Sequence, residues 1–215
     1  MTPIAVAAAA VVVLGAVLGT GARSARVATL GLTMALLFSP FVADPLPDTL
    51  ALATRLVGGT LAGYLLLVTS RRAVAPVGSP LGSLALLAAA GAAAVAGFQP
   101  SILGLARQGP EEAMAAGLAC LILALPAVVA ARDTFRLGAS LVVALTGILL
   151  VRAALVGSPS GAEEVAITFA IATLGGAVAF LGAVTSAAGG TLSLDDVGAR
   201  PDGARPAAPP AGVPR

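Results

Sequence analysis

The chain contains no histidine, no lysine and no tryptophan, and only one cysteine, Cys120, and one tyrosine, Tyr64. Each absence removes a class of chemistry. Without histidine, and with one thiol, the chain cannot assemble the common haem, zinc or iron–sulfur ligand sets, so no cofactor is expected in it and any redox centre belongs to another polypeptide. A lone cysteine excludes an internal disulfide framework, and its place within the apolar run Ala113 to Ala131 makes it a small buried hydrophobe. Charged residues are 10% of the chain and the net charge is +2, too small an excess to mark a nucleic-acid-binding surface. No nucleophile with its base, phosphate-binding loop or paired-carboxylate site can be read, which disfavours an enzyme acting alone.

What the sequence has instead is apolar length. Hydrophobic residues make up 58% of its 215 positions and the mean hydropathy is +1.02, well outside the composition of water-soluble domains. A hydrocarbon core about 30 Å thick needs about 20 helical residues. Seven runs approach that length: Ile4 to Thr20, Val27 to Ala43, Leu50 to Thr69, Leu81 to Phe98, Ala113 to Ala131, Leu137 to Val156 and Ala162 to Ala187. Proline, glycine and charge punctuate them, as in Asp44-Pro45-Leu46-Pro47-Asp48, Arg71-Arg72, Pro76 to Pro80, Gly109-Pro110-Glu111-Glu112 and Gly157 to Gly161. The expected fold is all-α, a polytopic membrane helix bundle of about seven transmembrane helices over residues 1–188. The first run lacks a basic segment ahead of it and reads as a retained span rather than a secretory signal. The Gly-, Pro- and Ala-rich stretch 189–215 is too polar and proline-rich to order itself, and reads as a flexible tail.

Arginine placement sets the orientation, because short cytoplasmic loops collect basic residues. Arg23 and Arg26, Arg71 and Arg72, and Arg132 and Arg136 follow spans one, three and five, and Arg200, Arg205 and Arg215 follow span seven. The opposite side holds Arg107 and Arg152 with Asp44, Asp48, Glu111, Glu112, Glu163 and Glu164. This places the N-terminus outside and the C-terminus in the cytoplasm of a cell that keeps the protein in its cytoplasmic membrane. The alternation holds only for an odd number of spans, so it depends on the Ala- and Gly-dominated fourth.

Arg55 is the exceptional residue, a cation inside the apolar stretch Leu50 to Val68. At bilayer depth such a side chain costs about 2.5 to 3.5 kcal/mol on insertion scales, so it faces a protein interior or a hydrated cavity unless it can reach the headgroups. Two readings stand. Arg55 lines a hydrated path or bonds a carboxylate of a neighbouring subunit, with Tyr64 further along the span; or it snorkels to the outer headgroups. Arg152 lies nearer a boundary, where snorkelling is the simpler account. Arg55, Tyr64 and Arg152 are the candidate residues for a proton path or intersubunit contact. Glu111, Glu112, Glu163 and Glu164 begin spans five and seven, where the helix N-terminus favours negative charge, and read as helix-start electrostatics. Gly15-x-x-x-Gly19 and Gly59-x-x-x-Gly63 offer close helix approach, while Pro40 and Pro126 are expected to end or kink their helices.

Three local segments suggest kinship. They are the basic loop Gly21-Ala22-Arg23-Ser24-Ala25-Arg26, the turn Ala131-Arg132-Asp133-Thr134-Phe135-Arg136-Leu137-Gly138, and the ending Gly190-Thr191-Leu192-Ser193-Leu194-Asp195-Asp196. Together with length, span number and loop charge they resemble the component E family of hydrogenase-4-type and formate-hydrogenlyase-type complexes. That family is related in its later spans to subunit K of respiratory NADH dehydrogenase and to the C subunit of multi-subunit cation/proton antiporters. The resemblance implies a non-catalytic membrane subunit of a proton-translocating oxidoreductase complex, partnered by lipid and by larger antiporter-like and redox subunits, with Arg55 where the family shows a lysine. This chain departs from the pattern at Leu145 and Thr146 and across Ala170 to Thr173, where relatives can carry a carboxylate. A role as scaffold follows more readily than proton carriage. The competing reading is a stand-alone small transporter or exporter, for which recurrence of the Arg23/Arg26 and Arg132/Arg136 loops would mark a parallel repeat.

Overall fold

A computed structural model describes residues 3–22, 24–43, 48–70, 84–99, 109–129, 131, 134–157 and 159–187, with side chains 84–87, 185–187 excluded. Among the described residues every regular element is helical: α1 (Pro3–Gly21), α2 (Ala25–Phe38), α3 (Thr49–Ser70), α4 (Leu84–Phe98), α5 (Glu111–Val129), α6 (Thr134–Val156) and α7 (Gly161–Ala187). All but α4 are long and apolar enough to cross a membrane, which gives six candidate spans. The described part of α4 has 15 residues, about 22 Å of helix against a core of about 30 Å. The expected tail, the Arg71-Arg72 and Pro76 to Pro80 loops, Arg23, Arg107 and Arg132 lie outside the described residues.

Helix boundaries shift where polar residues do helical work. Helix α5 begins at Glu111 rather than Ala113, and α6 at Thr134 rather than Leu137, so charged side chains lie inside the first turns. Pro40 acts as expected: α2 gives way at Ser39 to a 3-10 turn, Ser39–Val42. Helix α5 instead runs on through Pro126 to Val129, with the bond that residue 126 would donate to the Ile122 carbonyl missing from the ladder.

With no water in a bilayer to solvate them, hydroxyls on such helices must find partners within the protein. Thr20, Thr29, Thr33, Thr54, Thr60, Thr69 and Thr146 each donate to the carbonyl four residues earlier, at 2.7 to 2.9 Å. Interhelical contacts use small residues, as membrane packing requires when lipid is as apolar as leucine. At the α1–α2 crossing a Cβ on Gly15 would lie 2.5 Å from the Gly31 carbonyl oxygen. The α5–α6 crossing pairs Gly117 with Gly147, a contact that no Gly-x-x-x-Gly spacing announces. Cys120 is fully buried at this second crossing and is a free thiol.

Helices α3 and α7 pack in parallel. Arg55 meets Glu164, Gly58 meets Thr168 and Ala62 meets Gly175, so residue numbers rise together along the contact. A parallel α3 and α7 separated by the α5–α6 hairpin requires the chain to cross back between α3 and α5. The end of α4 does lie beside the start of α5, Gly97 against Met114 and Ala115. One end of the bundle therefore gathers the starts of α1, α3, α5 and α7 with the ends of α2, α4 and α6. Across it α1 touches α5, α2 touches α6 and α3 touches α7, the way two parallel three-helix repeats would face each other.

Candidate functional site

The site lies at that shared end and grows from the α3–α7 contact. Asp48 starts α3: its Oδ1 accepts from the Thr49 amide at 2.8 Å and its carbonyl from the Leu52 amide at 2.8 Å. Two turns on, Arg55 falls in the buried stripe Ala51, Arg55, Gly58, Gly59, Ala62, Gly63 and Leu66. Helix α7 presents the complementary stripe Glu164, Ile171, Gly175, Val178 and Gly182. Arg55 Nη1 donates to Glu164 Oε1 at 2.8 Å, with the residues 6% and 2% exposed. Gly58 lets this happen, because any side chain there would strike Thr168 and hold the two helices apart.

Of the readings of Arg55, as lining a hydrated path, bonding a neighbouring subunit's carboxylate or snorkelling, the last does not fit a guanidinium this buried. Its partner is in the same chain, 109 residues away, and desolvation forces the pairing: a lone buried guanidinium is far costlier than a neutral ion pair. Glu164 lies in the first turn of α7, as expected of helix-start charge, and in addition serves as Arg55's counter-charge.

Glu163 does play the helix-start role. Its Oε2 accepts from the Ser160 amide at 2.8 Å and from Ser160 Oγ at 3.1 Å, while its own amide donates to Ser160 Oγ at 3.4 Å. This is a reciprocal capping box at the start of α7. Gly157, at φ 91°, turns the chain out of α6 so that α7 can begin beside it. Across that turn Arg152 Nη2 donates to Glu163 Oε1 at 2.7 Å, and Nη1 to the Gly157 carbonyl at 3.5 Å. Arg152 is thus an ion-pair donor at the rim.

Between the two pairs is a pocket of about 30 Å³. Ser39, Pro40 and Ala43 line it after α2, Arg55 from α3, Leu149, Leu150, Arg152 and Ala153 from α6, and Pro159, Glu164 and Ile167 around the start of α7. Its volume admits about one or two water molecules. Arg55 Nε and Thr168 Oγ1 are buried at this contact without a hydrogen-bond partner. Water in the pocket is the natural complement to the guanidinium's spare donor.

No family model, curated protein or solved structure matches this chain.

Of the three residues singled out from the sequence, Arg55 and Arg152 share the pocket and Tyr64 does not. Tyr64 is nine residues beyond Arg55, about 13 Å along α3 and about 180° around it, and is 61% exposed on the outward face. Sequence reasoning missed Glu164 as a site residue. The signal was present in Ser160-x-x-Glu163: with Glu163 closing the capping box, the adjacent Glu164 points about 100° away, onto the buried stripe. Among the described residues no group of His, Cys, Asp and Glu could hold a metal ion.

Proposed function

We propose that the chain is a non-catalytic integral subunit of a proton-translocating oxidoreductase complex of the hydrogenase-4 or respiratory-complex kind, embedded in the cell membrane with its N-terminus outside. In this reading it seats larger antiporter-like and redox subunits, and the Arg55–Glu164 pocket forms the outer mouth of a hydrated proton path. The observation that carries the reading is the scale of the pocket. Sites for organic solutes occupy roughly 300 to 1,000 Å³, whereas about 30 Å³ between two ion pairs suits water and protons. This weighs against this pocket being an organic-solute site. The outward face of α7 adds support: Val165, Phe169, Phe180, Leu181 and Val184 are exposed and apolar, suited to lipid or to the helix of a larger subunit.

The test is purification of the tagged chain from native membranes in mild detergent, with proton transfer measured in the Arg55→Leu variant. Co-migration with redox and antiporter-like subunits, together with impaired assembly or proton transfer in the variant, is the expected result. Migration alone or as a homodimer would overturn the proposal in favour of a small transporter. A variant complex that assembles and pumps normally would remove Arg55 from the path.

A further inference from the structure

Tyr64, which has no part in the Arg55 pocket, lies on a second surface. Helix α3 packs on α2 and α7, and the side it turns away from them carries Leu50, Val57, Thr60, Leu61 and Tyr64, all exposed and within an arc of about 100°. Most of this stripe asks only for lipid. The Thr60 hydroxyl donates to the Leu56 carbonyl at 2.7 Å and so satisfies itself on its own helix. The ring holds a tyrosine hydroxyl too far from its own backbone for that, and the hydroxyl of Tyr64 has no hydrogen-bond partner among the described residues.

Depth makes that hydroxyl costly. Helix α3 has 22 residues, about 33 Å, against a hydrocarbon core of about 30 Å. Tyr64 stands about 9 Å before the final residue, Ser70, and helical side chains lean toward the N-terminus of their helix, so its ring tips toward the middle of the span and away from the nearer surface. Tyrosines of the interfacial belt sit at headgroup level, where water meets the hydroxyl. In hydrocarbon the same group is satisfied only by a neighbouring helix. We propose that the outward stripe of α3 seats a transmembrane helix of one of the larger subunits, and that this helix presents a hydrogen-bond acceptor at the level of Tyr64. The inference rests on the reading of the chain as a subunit of a membrane complex. Leu61 and Val57, one and two turns before Tyr64, form the apolar part of the seat. A second copy of the chain is the poorer occupant. Copies inserted in the same orientation are related by an axis along the membrane normal, which sets α3 parallel to and in register with itself and puts Tyr64, the bulkiest residue of the stripe, against Tyr64.

The experiment places the photoreactive residue p-benzoylphenylalanine at position 57 or 61, illuminates native membranes holding the full chain, and identifies the adducts by mass spectrometry after purification in mild detergent. The expected result is an adduct from both positions to the same integral subunit of the purified complex. In that complex Tyr64→Phe should let the subunit dissociate about threefold faster, the usual worth of one hydrogen bond between membrane helices. Adducts with lipid alone, in a complex that still carries its redox subunits, would overturn the inference and leave the functional reading standing. An adduct with a second copy would overturn it by making the stripe a homodimer contact, and a Tyr64→Phe complex that dissociates at the unmutated rate would overturn the part assigned to the hydroxyl. A chain that purifies with no redox subunit would overturn the functional reading and this inference with it.

Discussion

Glu163 and Glu164 are adjacent residues of identical chemistry, and they do opposite work. Glu163 faces outward, about half exposed, closes a capping box with Ser160 and pairs with the partly exposed Arg152. Glu164, turned about 100° by the helix, is buried against Arg55 and clamps α7 to a helix more than a hundred residues earlier. The outer pair is local, solvated and replaceable. The inner pair is long-range and desolvated, and it fixes the register of the parallel α3–α7 contact. The difference teaches that charge at a membrane-helix start has to be assigned residue by residue, because one step along the chain separates surface electrostatics from a buried counter-ion.

The sharpest way to break this comparison is to delete one member of the inner pair. Glu164→Leu leaves the Arg55 guanidinium buried with nothing to balance it, and removing one partner of a buried pair costs about 3 to 5 kcal/mol. Unfolding followed by circular dichroism in detergent should show a loss of that order. The Arg55→Leu/Glu164→Leu double variant should regain most of it, since two apolar side chains of suitable size satisfy the same contact. A single variant as stable as the wild type would mean that Arg55 finds water or another partner and that the pair is not the clamp.

An intermediate effect is expected from the packing that brings the pair together. Gly58→Val places two methyl groups where Thr168 already stands, and overpacking of this kind costs about 1 to 3 kcal/mol. Gly176→Val on α7 is the control, because no atom lies within 4 Å of a Cβ built there. The Gly58 variant should lower the unfolding midpoint and the Gly176 variant should leave it nearly unchanged. Equal effects would show that the α3–α7 interface tolerates a wedge.

Much of the architecture was legible because bilayer physics writes it into composition. Apolar runs of nearly 20 residues, broken by Pro, Gly and charge, gave the helices, and small residues marked where they approach. The Gly15–Gly31 contact falls within the Gly15-x-x-x-Gly19 spacing, yet Gly117 and Gly147 carry no such motif and were invisible without their partner helices. Arg55 was legible as an anomaly because an intramembrane cation is costly wherever it points. Its partner was not, since pairing across 109 residues is a property of helix packing. Tyr64 shows the same limit from the other side: sequence proximity to Arg55 suggested a shared path, and helical geometry sends it to the opposite face.

The smallest expected effect concerns the outer pair, and it tests whether the two glutamates differ in kind. Ser160→Ala removes the hydroxyl half of the capping box and should cost about 1 kcal/mol, the usual worth of an N-cap. Arg152→Gln removes an ion pair whose members are 29% and 49% exposed, so it should matter still less, and its effect should vanish as added salt screens the exposed charges. The inner pair is shielded from ions, and the penalty of Glu164→Leu should persist at high salt. Salt dependence thus separates the two pairs more cleanly than stability alone: if both penalties fade together, Glu164 is as hydrated as its neighbour, and the buried clamp on which the site is built does not exist in solution.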